Sequence, residues 1–374
     1  MMAAQEFPLS KGLIYLNHAA VSPWPKRTGE AIASFAEENV MEGAAHYPRW
    51  MLVEKKLREQ LAQLLNTNST REIALVKNTS EAISFVASGL SWQKGDNIVG
   101  THDEFPSNRI PWEALRDQGV SYRQPNIDVP HPEEAILSAI DDRTRLVAIS
   151  SVQYASGLRL DLEKIGAALK ARGILFLVDA IQSLGVFPID VQKIQADFVM
   201  ADGHKWLLAP EGLGVFYISE RVLEDVKPSQ FGWHMVENVG DYDDRAWIAA
   251  QSARKFECGS PNMLGIRGLS ASLSLLLETG IENIESRVLE KTATLIRLIQ
   301  SEPRLQLLSD HAPAQRSGIT LFRHKEVSNT RLWSHLKSRN IVCAMRGGGI
   351  RFSPHFYTPD EDLASAIRIA AEAV

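Results

Sequence analysis

The sequence predicts an α/β protein built around a mostly parallel sheet. Six short apolar runs alternate with helical stretches, and they lie at residues 73–76, 97–100, 146–150, 175–178, 198–200 and 214–218. Several of these runs are apolar at every position rather than at every second one, which is typical of strands buried on both faces. Helices between such strands cover the two faces of the sheet, so we expect a layered α/β fold.

Length and composition fit an ordinary globular enzyme of two domains. The chain has 374 residues, of which 45% are hydrophobic and 23% charged, and this excludes a disordered, collagen-like or coiled-coil protein. The net charge of −5 gives no electrostatic reason to expect a nucleic-acid or membrane partner. The start has no signal-peptide pattern, and no 18-residue apolar run is present, so the cytoplasm is the expected compartment.

The number and spacing of the cysteines indicate the redox environment of the protein. Cys258 and Cys343 are the only cysteines and lie far apart in the sequence. Two residues at this spacing form neither a disulfide framework nor a zinc site, so we predict no metal and a reducing compartment.

The order of the predicted helices and strands divides the chain into two domains. A helix is predicted over 48–66, because apolar residues recur at helical spacing and Pro48 suits a first turn. Past Ser260 the pattern changes to helices near 266–278 and 281–301, strands near 318–322 and 350–353, and a last helix over 360–373. We therefore expect a large α/β domain over 15–262, a smaller α+β domain over 263–374, and an N-terminal arm over 1–14.

A carboxylate and a lysine follow two neighbouring apolar runs. Asp179 closes the run 175–178, and Lys205 comes just after the run 198–200, beside the bulky Trp206. A buried carboxylate is costly unless a cation meets it, and a desolvated lysine is a good amine nucleophile. Pyridoxal phosphate needs such a pair: a lysine to attach the cofactor and an acid to keep its ring nitrogen protonated. The alternative is a structural ion pair at the edge of the sheet.

Two motifs around these residues resemble a known family. The segments LVDAIQS at 177–183 and GHKW at 203–206 resemble the class V aminotransferase group of fold-type I pyridoxal-phosphate enzymes. That group includes cysteine desulfurases, selenocysteine lyases and isopenicillin N epimerase-like proteins. The likeness begins at YLNHAA (residues 15–20) and extends to the final helix. It implies the fold-type I architecture, with a large cofactor domain and a small α+β domain.

The resemblance implies a set of cofactor ligands. Lys205 would form the Schiff base and move the Cα proton, with Asp179 as partner of the pyridinium nitrogen. The other ligands that it implies are Thr79, Ser80, Phe105, Gln153, Gln182, Asp202, His204 and Ser260. Thr79 and Ser80 open a helix after a predicted strand, where backbone N–H groups favour an anion. A simple N-cap is the commoner use of a threonine at this position, and the two roles are compatible for Thr79.

The resemblance also implies residues that bind the substrate or lie at a subunit interface. Arg351 would bind the substrate α-carboxylate through its guanidinium fork, and Arg346 is a second candidate anion ligand. Tyr154 and His18 are pocket positions by analogy, as are Trp233 and His234. In the family, the hydroxyl at the position of Ser260 reaches the phosphate of the neighbouring subunit's cofactor, which implies a homodimer with shared active sites.

The chain departs from the cysteine desulfurases at three places. They carry a nucleophilic cysteine on a loop before the carboxylate-binding arginine, but only three glycines and an isoleucine separate Arg346 from Arg351. Phe105 stands where they usually carry a histidine, and it cannot transfer protons. Asp202 replaces a Ser or Thr that meets the phosphate; because a carboxylate would repel that group, we expect Asp202 to orient His204 or cap the turn.

These observations predict a pyridoxal-phosphate enzyme that acts at Cα of a small amino acid. A class V aminotransferase or a C–S lyase is the first expectation. Cysteine desulfurase-like activity, epimerisation and a catalytically silent cofactor-binding homologue are the alternatives. Neither the substrate nor the choice between transamination, elimination and epimerisation follows from the sequence.

Overall fold

The computed structural model describes residues 5–374. Its strands are β1 (Ile14–Tyr15), β2 (Ile73–Val76), β3 (Asn97–Val99), β4 (Ser121–Arg123), β5 (Thr144–Ser150), β6 (Leu175–Asp179), β7 (Phe198–Asp202), β8 (Gly214–Ile218), β9 (Leu305–Leu307), β10 (Thr320–His324), β11 (Ile341–Val342), β12 (Ala344–Arg346) and β13 (Gly349–Phe352). Seven of them form the central sheet, in the order β2-β8-β7-β6-β5-β3-β4.

The central sheet confirms the predicted α/β class. Strands β4, β3, β5, β6 and β7 are mutually parallel, and only β8 runs antiparallel to its two neighbours. All six apolar runs are strands. The sequence did not predict β4, because this edge strand consists of Ser121, Tyr122 and Arg123, none of them fully buried.

Helices cover this sheet and build the second unit. They are α1 (Lys26–Glu42), α2 (Tyr47–Leu65), α3 (Thr79–Gly89), α4 (Ile110–Glu113), α5 (Pro132–Ser138), α6 (Leu162–Ala171), α7 (Met263–Thr279), α8 (Ile281–Ser301), α9 (Asn329–Ser338) and α10 (Asp360–Ala371). The long α7 packs against α1 and α2. Within residues 5–374, no helix combines the length and apolarity that a membrane span requires.

A four-stranded antiparallel sheet forms the centre of the C-terminal unit, in the order β12-β13-β10-β9. Its core contains Phe322 and Phe352 from the sheet, Leu295 and Ile299 from α8, and Leu363 from α10. This unit matches the expected smaller α+β architecture. Two short strands, β11 and β12, lie on either side of Cys343.

The N-terminal segment packs on the C-terminal unit. Strand β1 pairs in parallel with β11, and Leu16 is fully buried in the core of the second unit. Phe7 stacks on Tyr357 with ring centroids 3.5 Å apart. The expected arm over residues 1–14 is thus described from residue 5 onward, and its first four residues lie outside the described residues.

One helix approaches a neighbouring backbone closely enough to require glycine. Gly166 lies in α6, and a Cβ atom there would stand 1.8 Å from the carbonyl oxygen of Ile194. Since backbone cannot move aside as a flexible side chain does, α6 and the segment around Ile194 must separate to accept any larger residue.

We predict that Gly166→Ala destabilises the protein by about 1–3 kcal/mol, because the added methyl group overpacks this contact. Gly29→Ala is the matched control: Gly29 is also helical, and nothing lies within 4 Å of its Cβ position. The control should be neutral or stabilising by up to about 1 kcal/mol, since alanine has the higher helix propensity. Urea unfolding midpoints measure both effects, and equal midpoints for the two variants would contradict the close packing.

Candidate active site

The ends of two adjacent parallel strands place Asp179 and Lys205 at one edge of the sheet. Asp179 is the last residue of β6 and pairs with Met200 of β7. Lys205 follows the end of β7 in a tight turn, where Leu208 N–H donates to the Lys205 carbonyl at 3.1 Å. Both side chains line a cavity of about 320 Å³. The sequence prediction that they come together at the carboxyl edge of the sheet is therefore realised in the structure.

Burial and charge shift the pKa values of both groups. Burial lowers the pKa of Lys205, and the nearby Asp179 carboxylate opposes this shift. Burial raises the pKa of Asp179, although the Ile181 N–H, which donates to Oδ1 at 3.0 Å, and Lys205 both favour the ionised form. Each group therefore stabilises the charged form of the other.

An aromatic ring faces the lysine. The Lys205 Nζ atom lies 5.6 Å from the ring centroid of Phe105. Phe105 is 41% exposed and meets Tyr154 edge to face, with centroids 5.2 Å apart. The ring of Phe105 is thus partly exposed and lines the cavity beside Lys205.

The start of α3 forms one wall of the cavity. Asn78 caps this helix by accepting a hydrogen bond from Glu81 N–H at 2.9 Å. The predicted N-cap role of Thr79 is therefore wrong, because Asn78 provides the cap. The Thr79 hydroxyl oxygen is buried and has no hydrogen-bond partner among residues 5–374, and Ser80 donates to the Ser107 hydroxyl at 2.8 Å. A helix N-terminus with an unpartnered hydroxyl is suited to an anion.

Asp202 and His204 lie side by side in the lining of the cavity. The Asp202 Oδ1 and His204 Nδ1 atoms are 3.1 Å apart, and neither has a hydrogen bond of good geometry in the described part of the chain. The contact becomes an ion pair when His204 is protonated. The expected closeness of the two side chains is thus present.

Gln182 is buried at the cavity wall. Its Nε2 donates to the Ala19 carbonyl at 3.0 Å, and its Oε1 accepts from the Trp206 indole N–H at 2.9 Å. One amide N–H remains for a ligand in the cavity.

Glu104 is a buried carboxylate to which the sequence analysis assigned no role. Its oxygens accept from the Ser150 N–H at 2.8 Å and from the Asn108 amide at 3.1 Å, and from Ser150 Oγ, Thr101 Oγ1 and Gln153 Nε2. These contacts hold the loop that carries Phe105 against the end of β5. Only the position of Glu104 beside the aromatic residue hinted at it in the sequence.

Two arginines reach the cavity from the C-terminal unit. Arg351 on β13 is almost fully buried, and its Nη1 donates to the Tyr154 carbonyl at 2.6 Å. Its Nε has no partner within residues 5–374. Burial, with the neighbouring Arg346 as second cause, lowers the pKa of Arg351 to about 10. Arg346 is exposed and also lines the cavity.

Several predicted residues lie outside the cavity lining. Gln153 is fully buried behind Glu104, and Ser260 is exposed in a separate cleft with Cys258. Trp233 lines another cleft, while His234 is buried.

His18 is a core histidine with both ring nitrogens engaged. Its Nδ1 lies 2.8 Å from the Ser353 carbonyl, and its Nε2 lies 2.6 Å from the Tyr357 hydroxyl. Complete burial lowers the pKa of His18 to about 4. The side chain connects the N-terminal segment to the C-terminal unit and does not line the cavity.

Neither thiol of the chain lines the cavity. Cys343 is buried, which raises the pKa of its thiol to about 12, and Cys258 donates to Gln230 Oε1 at 3.4 Å in the separate cleft. The turn between Arg346 and Gly349 consists only of Gly347 and Gly348. Residues 5–374 also contain no cluster of His, Cys, Asp and Glu that could hold a metal ion.

Comparisons with known proteins agree on one family. The model of the family "Aminotransferase class-V" matches residues 14–369. A probable cysteine desulfurase of Methanothermobacter thermautotrophicus is 32% identical, over 96% of this chain and 94% of the relative. The uncharacterized aminotransferase YcbU of Bacillus subtilis is 31% identical, over 85% of this chain and 83% of the relative.

Solved structures show the same fold. A cystine C–S lyase in complex with its reaction product cysteine persulfide superimposes with a TM-score of 0.92 at 24% identity, over 98% of this chain and 99% of the other. The apo cysteine desulfurase of Thermococcus onnurineus gives a TM-score of 0.88 at 24% identity, over 99% of this chain and 97% of the other.

We predict that stability falls as the pH drops from about 6.5 towards 4, in part because of His18. Its pKa is about 4 in the folded protein and about 6.5 in the unfolded chain. In this interval the unfolded state binds more protons, and the loss reaches about 3 kcal/mol at low pH. Urea unfolding at a series of pH values should show a shallower dependence for His18→Gln than for wild type. His131→Gln, at an exposed position, should keep the wild-type slope; an unchanged slope in His18→Gln would contradict the shift.

Proposed function

Since the chain belongs to the aminotransferase class-V family, we propose that it is a C–S lyase that removes a sulfur-containing group from the β-carbon of an amino acid. It is a pyridoxal-phosphate-dependent enzyme of fold type I. The observation that favours this reaction over that of a desulfurase is a set of groups for chemistry at Cα, in a cavity that no thiol lines.

Pyridoxal phosphate fits the polar groups that the cavity presents. The unpartnered Thr79 hydroxyl at the start of α3, together with Ser80 and His204, suits its phosphate. Phe105 suits its ring face, Asp179 its ring nitrogen, and Gln182 its phenolic oxygen. We propose that these residues hold the cofactor, with Lys205 as its covalent attachment and Asp202 orienting His204.

Three residues of the cavity act on the substrate and on the ring of the cofactor. When bound, pyridoxal phosphate supplies an electron-withdrawing ring that stabilises negative charge at the substrate Cα. Arg351 binds the α-carboxylate through its free Nε edge and so fixes the amino acid beside Lys205. Once the substrate amine has displaced it from the cofactor, the Nζ atom of Lys205 would take the Cα proton as general base, because its lowered pKa leaves part of the amine uncharged near neutral pH. Asp179 holds the proton on the ring nitrogen.

Elimination then breaks the Cβ–S bond. The sulfur leaves with the bonding electrons, takes up the proton that Lys205 removed from Cα, and is released as a thiol, or as a persulfide when the substrate is a disulfide. The remaining three-carbon fragment hydrolyses to pyruvate and ammonia. A protein thiol takes no part in these steps, which distinguishes them from a desulfurase that receives sulfur on its own cysteine.

The proposal also covers the oligomeric state and the cellular location of the protein. Ser260 is exposed and lies outside the cavity of its own chain, which supports a homodimer in which it completes the site of the other copy. Two free cysteines in a chain without disulfides support a cytoplasmic location.

We predict that Lys205→Ala abolishes both activity and the visible absorption of the purified protein, because the cofactor is attached at Nζ. Lys193→Ala, at an exposed position, should retain both. Absorption spectra recorded after incubation with pyridoxal phosphate and gel filtration measure the effect. A wild-type protein that stays colourless after this treatment would exclude the proposed enzyme.

We predict that the double variant Cys258→Ala/Cys343→Ala retains at least half of the wild-type kcat with cystine or S-substituted cysteines, because neither thiol lines the cavity. The assay measures pyruvate, ammonia and released thiol or persulfide, and chiral analysis and keto-acid detection report epimerisation and transamination. Loss of activity in the double variant, with an unchanged unfolding midpoint, would favour the desulfurase reaction instead.

A further inference from the structure

The indole of Trp206 lies behind the cavity wall, in contact with one amide of that wall. Its Nε1–H donates to Gln182 Oε1 at 2.9 Å, and Gln182 Nε2 donates to the Ala19 carbonyl at 3.0 Å. Gln182 lines the cavity, whereas Trp206 does not. Gln182 is 2% exposed and Trp206 is 1% exposed, and hydrogen bonds in such a dry environment are stronger than those in water.

The two neighbours of Gln182 determine which way its amide points. An indole N–H can only donate a hydrogen bond, and a backbone carbonyl can only accept one. The amide oxygen of Gln182 therefore faces Trp206, and its nitrogen faces Ala19. In the reversed orientation, two oxygens would meet on one side and two N–H groups on the other. The group that Gln182 presents to the cavity is consequently the second N–H of its amide, which is a donor.

Close packing fixes the indole of Trp206 from both structural units. A Cβ atom on Gly318 would stand 2.5 Å from the indole Cη2 atom, so the backbone of the C-terminal unit lies directly against the ring. The ring centroids of His18 and His355 lie 6.4 Å and 5.3 Å from that of the indole. Because the ring is enclosed in this way, the direction of its N–H is set by the protein itself.

We propose that Trp206 is a positioning residue, which holds the Gln182 amide so that it donates to the phenolic oxygen of pyridoxal phosphate. This inference rests on the proposed contact between Gln182 and that oxygen, and it adds a residue that does not itself touch the cofactor. When the indole N–H is removed, the buried amide oxygen loses its donor, which is costly. The amide then turns towards other partners, and its N–H leaves the phenolic oxygen.

A donor at the phenolic oxygen affects the proton on Lys205. In pyridoxal phosphate, this oxygen and the aldehyde group to which Nζ becomes attached are on neighbouring ring carbons. The negative charge of the oxygen therefore holds the proton of the attached nitrogen. A hydrogen bond from Gln182 withdraws part of that charge and makes the proton easier to remove. Loss of the bond raises the pH at which the visible absorption band of the holoenzyme titrates.

Trp206→Phe removes the N–H donor and keeps an aromatic ring. In a spectral pH titration of the holoenzyme without substrate, the midpoint should lie at least about 0.5 pH units above that of wild type. The apoprotein should bind pyridoxal phosphate at least about threefold more weakly, which is the effect of losing one hydrogen bond. Trp50→Phe is the matched control and should change neither value, because buried Trp50 donates to Glu38 Oε1 at 2.8 Å outside the cavity.

The double variant Trp206→Phe/Gln182→Leu tests whether Trp206 acts through the amide. Gln182→Leu alone should raise the midpoint, and the added Trp206→Phe should then cause no further change, since no amide remains to be oriented. Additive shifts in the double variant would overturn the inference, because Trp206 would then act by another route. A wild-type midpoint in Trp206→Phe would overturn it as well.

A second substitution covers the case in which Trp206→Phe does not fold. Trp206→3-benzothienylalanine replaces the indole N–H by sulfur and keeps the bicyclic shape, so it should fold and give the same rise in the midpoint. An unchanged midpoint in this variant would overturn the inference. A holoenzyme that shows the predicted shifts but forms no pyruvate from cystine would instead refute the proposed elimination and leave the role of Trp206 standing.

Discussion

The structure depends on burying two opposite charges at the end of one parallel sheet. Asp179 and Lys205 are each almost fully buried, and either charge alone would be expensive there. Adjacent parallel strands end at the same edge, so β6 and β7 bring the two groups together without any special loop. Each charge then favours the ionised form of the other, whereas burial favours the neutral form of both groups.

The remaining polar side chains of the cavity come from both structural units. The start of α3 and His204 line the cavity together with Asp202, whose carboxylate lies beside the His204 ring. The β12–β13 hairpin brings Arg351 and Arg346 from the other unit. Cationic side chains of the cavity therefore come from both structural units, Lys205 from one and the two arginines from the other.

Buried strands and helix starts were predictable from the sequence, whereas contacts between side chains were not. Buried strands were predicted because a run of apolar residues is itself the signal, and the edge strand β4 was missed because it is polar. The helix start at Thr79 was located, but only the structure shows that Asn78 provides the cap and leaves the Thr79 hydroxyl free. Glu104 received no role, since three of its five donors belong to Ser150 and Gln153, which are distant in sequence.

The sequence by itself determined the fold class, the pairing of Asp179 with Lys205 and the absence of a thiol between Arg346 and Arg351. These follow from local patterns and from the rule that parallel strand ends share an edge. Only the tertiary structure decided that His18 is enclosed by the C-terminal unit, and that Arg346 and Arg351 share one hairpin face at different depths. Burial and register arise from contacts between distant segments, and a single sequence does not encode those contacts in any local pattern.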